Sequence, residues 1–460
     1  MSDILKIVFI IVIFLLIAKF FAFLLWILVP WFLILMATSL WYRYTRNKIE
    51  QKKKWILLEL IPPRDIVKTP YGMEQFFSGI HGVVGGKNWL DRNIKGSVFD
   101  YFSLEMISQS GSIHFYVRTL EEFRDLVEAH IYGQYPETEI RQTADYINSV
   151  PEKLPNENYD VFGTEFIFLK ENAYPIRTYV EFEKDAAIEE KRVDPMASLL
   201  EIFGKLKNGE QIWVQTLVKP TFDNWKKEAE EIRNKLFKRD KEKKEGLIKK
   251  EMVAWKDATR TVARQVIIGD ILEGSSENKD DPRWKSLLDP RTVQEKDVIT
   301  AIEDKMTKLG SEVIIRYVYL APRDIYRADE IRKAIMGYYK QFNTQHLNGF
   351  QNNSRLTPGA GVDYWFEFKT LRNMYRRKEV FTNYRTRFFA QHSDVIPWLK
   401  PVFFERLPIL NWLFIRSKPM VLNIEELASV FHFPAVTVKA PLTPKVESSR
   451  REPPIGLPIK

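Results

Sequence analysis

The run from Ile4 to Trp41 constrains this chain more than any other stretch. It is apolar and broken by charge only at Lys6 and Lys19. A single helix over the whole run would be about 57 Å long at the α-helical rise, against a hydrocarbon core of about 30 Å. Phe20–Trp41 alone would span about 33 Å, one comfortable crossing. Ile7–Ala18 is short for a second crossing; a tilted segment with Lys6 and Lys19 snorkelling and a shallow hairpin near Pro30 both fit it. Trp26, Trp31, Trp41, Tyr42 and Tyr44 suit interfacial positions. Arg43, Arg46, Lys48, Lys52, Lys53 and Lys54 follow, against Glu50 alone. By the positive-inside rule that flank is cytoplasmic. A cleaved signal peptide fits less well, because the run is too long and no basic region precedes it. The expectation is a protein of the inner (plasma) membrane, with the bulk of the chain from Trp55 onward in the cytoplasm.

With 460 residues the chain has room for several domains, and 45% hydrophobic with 28% charged residues fits a folded protein. There is no cysteine, which excludes disulfides and every cysteine-ligated zinc or iron–sulfur site. Most of the formal net charge of +9 sits in the Arg43–Lys54 cluster. The rest is close to balanced, so the basic pI is a poor argument for nucleic-acid binding.

Beyond the basic cluster, strand and helix patterns alternate. WILLELI (Trp55–Ile61) reads as a strand closed by Pro62-Pro63. YGMEQFFSGIHG carries Met73, Phe76, Phe77 and Ile80 at helical spacing. FDYFSLEMIS and SIHFYVRTL flank Gln109-Ser110-Gly111, a hairpin signal, and EEFRDLVEAHIYGQYP is the next helix. TEFIFL and IRTYVEFE read as strands. DPMASLLEIFGKL reads as a helix with Asp194 as N-cap, and EQIWVQTLVKP as a strand. EKDVITAIEDKMTKLG, SEVIIRYVYLAP and RADEIRKAIMGYYKQF then give helix, strand, helix. The expected class is α+β: a transmembrane helix followed by repeated ferredoxin-like modules, antiparallel sheets with helices on one face. The expected organisation is an anchor with basic segment at 1–54 and modules at 55–150, 151–272 and 283–433. The second module carries a charged helical arm, and a Pro-rich tail fills 434–460.

No nucleotide-binding or hydrolytic motif occurs. Gly85-Gly86-Lys87-Asn88 lacks both the spacing and the hydroxyl of a P-loop, and GxSxG, HExxH and GxGxxG are absent. No two of the six histidines stand at the i,i+3 or i,i+4 spacing of a helical metal site. His81 and His114 read as structural hydrogen-bonding groups. No cofactor, metal or catalytic residue is expected, although a site assembled across the fold is invisible in sequence. One stretch has a binding character: Arg372, Arg376, Arg377, Lys378, Arg385 and Arg387 interleave with Tyr375, Phe381, Tyr384, Phe388 and Phe389. Cations at that spacing can meet phosphates while aromatics stack on unpaired bases. The same pattern also describes a helix with aromatics inward and arginines outward.

Four stretches carry a resemblance: LLELIPPRDIVKTPYGMEQFFSGIHG, GSIHFYVRTLEEFRDLVEAHIYGQYPETEI, YDVFGTEFIFLKENAYPIRTYVEFE and DPMASLLEIFGKLKNGEQIWVQTLVKP. In this order the chain from about Trp55 onward resembles the membrane-anchored N-terminal region of type IV secretion and conjugation-like ATPases of candidate-phyla bacteria, the coupling-protein and HerA/FtsK-like translocases. In such proteins a segment like LNIEELASVFHFP and a Pro-rich stretch lead into the ATPase core. Here 26 residues follow Pro434, too few for such a core. The resemblance thus implies a non-catalytic component, a platform for a separate HerA/FtsK-like or coupling-protein-like ATPase among other secretion-system subunits, as a homo-oligomer by analogy. Docking of that ATPase is expected at Leu422, Glu425, Glu426, Phe431 and His432 and in the tail at Arg450 and Arg451. The alternative is a membrane-tethered module binding single-stranded DNA or anionic lipid through Arg372–Arg387.

Overall fold

The structure is a computed structural model that describes residues 52–63, 69–83, 100–184, 194–223, 225–236, 293–360, 369–389 and 417–434, with scattered positions before Gln51. The chain divides into two units. One comprises Met1–Trp55, Gly85–Asp100 and Gln391–Leu413, the other Ile56–Val84, Tyr101–Ala390 and Phe414–Lys460.

In the first unit, Trp26, Trp31, Ile34, Trp41 and Tyr44 are helical and carry exposed side chains. Lys53 pairs with Asp100 at 2.9 Å. Most of the expected membrane anchor lies outside the described residues. Among those described, no helix is long and apolar enough to cross a membrane.

The second unit is built on a nine-stranded sheet. Its strands are β1 (Trp55–Ile61), β2 (Phe102–Gln109), β3 (Ser112–Leu120), β4 (Glu139–Thr143), β5 (Tyr159–Phe168), β6 (Gln211–Pro220), β7 (Gly310–Pro322), β8 (Phe350–Asn352) and β9 (Met420–Asn423). Eight of them run in the order β4-β1-β3-β2-β6-β7-β5-β8, and β9 adds to β7. The helices are α1 (Tyr71–Ile80), α2 (Arg124–Gln134), α3 (Tyr179–Lys184), α4 (Ala197–Gly204), α5 (Val293–Thr307), α6 (Ala328–Lys340), α7 (Lys369–Arg385) and α8 (Ile424–Val430).

This order contains one pattern twice. The first half runs β1-α1-β2-β3-α2-β4 and places its strands 4-1-3-2. The second, with α3 added between β5 and α4, runs β5-α4-β6-β7-α6-β8 and places its strands 8-5-7-6, the same order. The halves meet edge to edge where β2 pairs antiparallel with β6, from Phe102↔Val218 to Gln109↔Gln211. The expected second and third modules are therefore parts of one half, with α5 and its flanking residues inserted between β6 and β7. The FDYFSLEMIS–SIHFYVRTL hairpin forms as expected. Ser110 and Gly111 both have positive φ (52° and 91°), the twist that a two-residue connection needs to match its strands.

One expected strand is absent. The YVEF portion of IRTYVEFE is helical in α3. Its backbone bonds leave the sheet: Ile176 N–H donates to Glu426 Oε1 at 2.9 Å and Tyr179 N–H to Ser429 Oγ at 2.8 Å.

Strand alternation sends two sets of side chains to opposite faces. Leu104, Met106, Val214, Ile315, Tyr317 and Tyr319 pack under α1, α2, α4, α6 and α8 in the larger core. Ile107, Tyr116, Trp213, Val318 and Leu320 face the other way, with Val380, Phe381 and Tyr384 of α7. The LNIEELASVFHFP segment belongs to the larger core. β9 pairs with β7 from Gly310↔Asn423 to Val313↔Met420. Asn423 then starts α8 with a reciprocal capping box to Glu426, satisfying two otherwise orphan donors. Phe433 closes the segment, edge-on to Phe115 and Tyr135.

Candidate functional site: a polar row beneath α7

The residues under α7 form a row that crosses four strands. Glu105 on β2 stands opposite Gln215 on β6, Gln215 opposite Arg316 on β7, and Arg316 opposite Glu165 on β5. All four are at most 1% exposed. Each sits where alternation points a side chain into an interior, and buried charges persist there only when paired.

The pairing is dense. Gln215 Nε2 donates to Glu105 Oε1 at 3.0 Å. Arg316 meets Glu165 at 3.0 Å, and Ser417 Oγ donates to Glu165 Oε1 at 2.6 Å. Arg316 also reaches the end of α7, donating to the carbonyls of Asn383 in its last turn (2.5 Å) and Phe388 just past it (2.7 Å). The sheet thus supplies a cation to the carbonyl end of the helix, where the macrodipole is negative. Close approach is allowed by Gly163 on β5: a Cβ there would lie 2.6 Å from the Tyr317 carbonyl and 2.7 Å from Val380 Cγ1.

Arg387 locks the end of α7. It is 2% exposed and has a left-handed backbone, φ 50°, which is uncommon for a residue with a side chain. Its Nε and Nη2 donate to the two oxygens of Glu105 at 2.7 and 3.0 Å. Its Nη1 and Nη2 donate to Asp145 at 2.6 and 3.0 Å. Tyr146 O–H donates to Glu105 Oε2 at 2.8 Å and shares a hydrogen bond with Tyr384 at 2.8 Å. Burial raises the Glu105 carboxyl, but the charge and hydrogen bonds of Arg387 outweigh it and hold the group below its ordinary value. Burial likewise opposes ionisation of Asp145, and the hydrogen bond and charge of Arg387 again win.

The structure distributes the residues of Arg372–Arg387 over different surroundings. Arg376 is buried and donates to the carbonyls of Thr357 and Ala360. Arg377 Nη1 lies 2.8 Å from each Asp160 oxygen. Arg387, Phe381, Tyr384 and Phe389 are buried. Arg372 and Arg385 are half-buried and Lys378 is exposed. Of the second expected site, the structure places five residues in β9, α8 and the two positions after α8. Leu422, Glu426, Phe431 and His432 are at most 1% exposed, and Glu425 pairs with Lys308. They dock onto their own sheet, because β9 and α8 need them as core. His432 Nδ1–H donates to the Ala428 carbonyl at 2.8 Å, and its Nε2 lies 2.9 Å from Asp194 Oδ1. Asp194 also accepts from Met196 N–H at 2.7 Å, just ahead of α4. Arg450 and Arg451 lie outside the described residues. His81 meets the Gly310 carbonyl at 3.0 Å and His114 meets Glu59 at 2.8 Å, both structural roles.

Sequence reading missed Glu105, Gln215, Arg316, Glu165 and Asp145. A signal existed for two of them: Glu105 interrupts FSLEMIS and Arg316 interrupts VIIRYVYL at the centre of apolar strands. Among the described residues, no group of three or more His, Asp or Glu side chains is placed to hold a metal ion. The row can grip a helix, and its donors and acceptors chiefly serve one another and the α7 backbone.

One member of α7 makes the grip pH-sensitive. Burial first, then the nearby Glu165 charge, push Glu379 up to about 7, with Arg376 opposing. Its Oε2 is buried without a hydrogen-bond partner. A carboxyl raised on folding binds more protons folded than unfolded, so its contribution to stability falls as pH rises between the ordinary value of 4.5 and about 7. Glu379→Gln should therefore raise the melting temperature at pH 8 and change it little at pH 5. Thermal unfolding at the two pH values checks this; an equal shift at both would remove the role of Glu379 ionisation.

In comparisons with protein-family models and with curated proteins, nothing matches the chain.

Proposed function

We propose that the protein is a non-catalytic, membrane-anchored component of a type IV secretion- or conjugation-like translocation system, a platform on which a P-loop ATPase docks. In this reading the two β-α-β-β-α-β halves are ferredoxin-like modules. The apolar run Ile4–Trp41 holds them at the inner membrane, with the sheet on the cytoplasmic side. Other secretion-system subunits, and further copies of the chain, would surround it. The observation that carries the reading is the place of Leu422–Phe433. This segment closes the sheet and the larger core, so the Pro-rich stretch that follows leaves directly from a finished, rigid body. A Pro-rich composition suits a mechanical link between a platform and a motor. The docking residues of this reading move to the tail, at Arg450 and Arg451.

The test is crosslinking and recovery from native membranes, comparing the full chain with a version ending at Pro434. The expected result is tail-dependent recovery of a P-loop ATPase, identified by mass spectrometry. ATP hydrolysis by the purified chain alone would overturn the non-catalytic assignment. Recovery of membrane subunits independent of the tail would move the docking surface to the sheet unit.

A further inference from the structure

The outward side of α7 is a second feature of the helix, independent of the grip beneath it. Leu371, Met374 and Tyr375 are 58%, 55% and 49% exposed, and Phe388, just past the helix, is 43% exposed. Lone apolar side chains are normal on a protein surface; these first three adjoin one another. With Lys378 and Arg385, Leu371, Met374 and Tyr375 fall on one stripe, because residues three, four and seven apart share a helix face. Lys378 is exposed; Arg385 is half-buried, with its Nη1 shielded from solvent and without a hydrogen-bond partner. The one acidic residue of α7, Glu379, is half-buried beside Glu165.

We infer that this stripe of α7 rests on an anionic lipid surface, its apolar side chains in the headgroup–acyl boundary and Lys378 among the phosphates, with Arg385 adding charge from the edge of the contact. The half-buried Glu379 flanks the stripe at Tyr375; apolar side chains beside cations are what an interfacial helix presents. A single-stranded nucleic acid suits it less. Tracking a phosphate backbone takes a line of free cations, and Arg376, Arg377 and Arg387 are committed inward. The inference rests on the membrane anchor of the proposed function in one respect, reach. Trp41 ends the apolar run and Trp55 begins β1. Those fourteen steps span at most about 50 Å when fully extended, which keeps the sheet unit within that distance of a bilayer.

The absence of cysteine makes the test direct. The full chain carrying Met374→Cys, labelled with an environment-sensitive fluorophore, is placed in nanodiscs of phosphatidylcholine alone or with one-third phosphatidylglycerol. A parallel Trp26→Cys label reports the anchor. The expected result is a blue-shifted signal at position 374 that doxyl lipids quench at least threefold more strongly in the anionic discs. Lys378→Glu with Arg385→Glu should abolish that difference while leaving the melting temperature within a few degrees. If position 374 stays in water in both discs while position 26 is quenched, the lipid contact is wrong and the anchor stands. If position 374 is quenched and position 26 is not, the contact stands and the anchor fails. A blue shift without lipid quenching would assign the stripe to a protein, and one produced by oligo(dT) alone would assign it to single strands; either overturns the inference.

Discussion

Arg387→Ala is expected to destabilise the sheet unit by about 3–5 kcal/mol, the usual effect of removing one partner from a buried ion pair. The substitution removes the cation hydrogen-bonded to both Glu105 and Asp145, leaving the charge of Arg118 near them, and Glu105 is fully buried in the central sheet. It also frees the end of α7, since Arg387 is the point at which the chain turns through a left-handed residue and is held by Tyr101 O–H on its own carbonyl at 3.0 Å. Hydrogen exchange should therefore show the last turns of α7 opening before the strands, because local opening follows the loss of local contacts. The acid limb should change too. Glu105 and Asp145 sit below their ordinary values, so they bind fewer protons folded than unfolded. Their contribution is present above the unfolded carboxylate range and is lost as pH falls through the folded values. Without Arg387 that acid loss should shrink. Arg387→Met combined with Glu105→Gln should recover part of the stability at neutral pH by removing the uncompensated charge. Chemical denaturation at pH 4 and pH 7 measures both effects; a loss below about 1 kcal/mol, typical of exposed pairs, would show that the pair is not buried as described.

The second large effect is expected at Glu426. Glu426→Ala should cost about 3–5 kcal/mol and exceed Lys305→Met by about 1–2 kcal/mol, the cost of leaving buried donors unpaired. The two side chains meet at 3.0 Å with neither exposed. Burial drives both toward neutrality, lowering Lys305 and raising Glu426 against their mutual attraction. Loss of Lys305 can thus be met by a proton on Glu426. Loss of Glu426 cannot be met so simply, because its carboxylate also accepts from Ile176 N–H and Asn423 N–H. Lys305 would keep only the Val421 and Tyr174 carbonyls. Comparing melting temperatures of the two single variants and the double variant in one thermodynamic cycle gives the coupling. Equal losses for both single variants would mean that the backbone donors find other acceptors.

Most strands and helices were legible because each half-buried element repeats its apolar residues at the period of its own geometry. The way the elements share a sheet was less so. β6 and β7 are neighbours through ten register pairs, yet 89 positions separate Pro220 from Gly310, so proximity along the chain put them in different modules. Arg376, Arg377 and Arg387 read as surface because arginine mostly is. Their partners were invisible for the same reason of distance: Arg387 meets Glu105 from 282 residues away and Arg377 meets Asp160 from 217. Leu422–Phe433 read as a lead-in because it precedes a Pro-rich stretch, and only the β7 register shows that it completes the core. The IRTYVEFE error is of another kind. Its alternation is real, but Glu426 and Ser429 of α8 take the backbone donors that a sheet neighbour would have used.

Joining the two halves through β2 and β6 has a consequence for solubility. Two separate four-stranded sheets would present four open edges, each a template on which another chain can add and start aggregation. Among the described residues the fused sheet ends on β4 and β8, with the outer side of the short β9 as the one further edge. β4 carries Glu139 and Arg141, charges that discourage a flat apolar partner, and β8 is three residues long. The short β9 is guarded along its outer side by side chains, with Asn172 accepting from Val421 N–H and Lys305 donating to Val421 O. A sheet of this breadth therefore offers another chain little open backbone for edge-to-edge pairing.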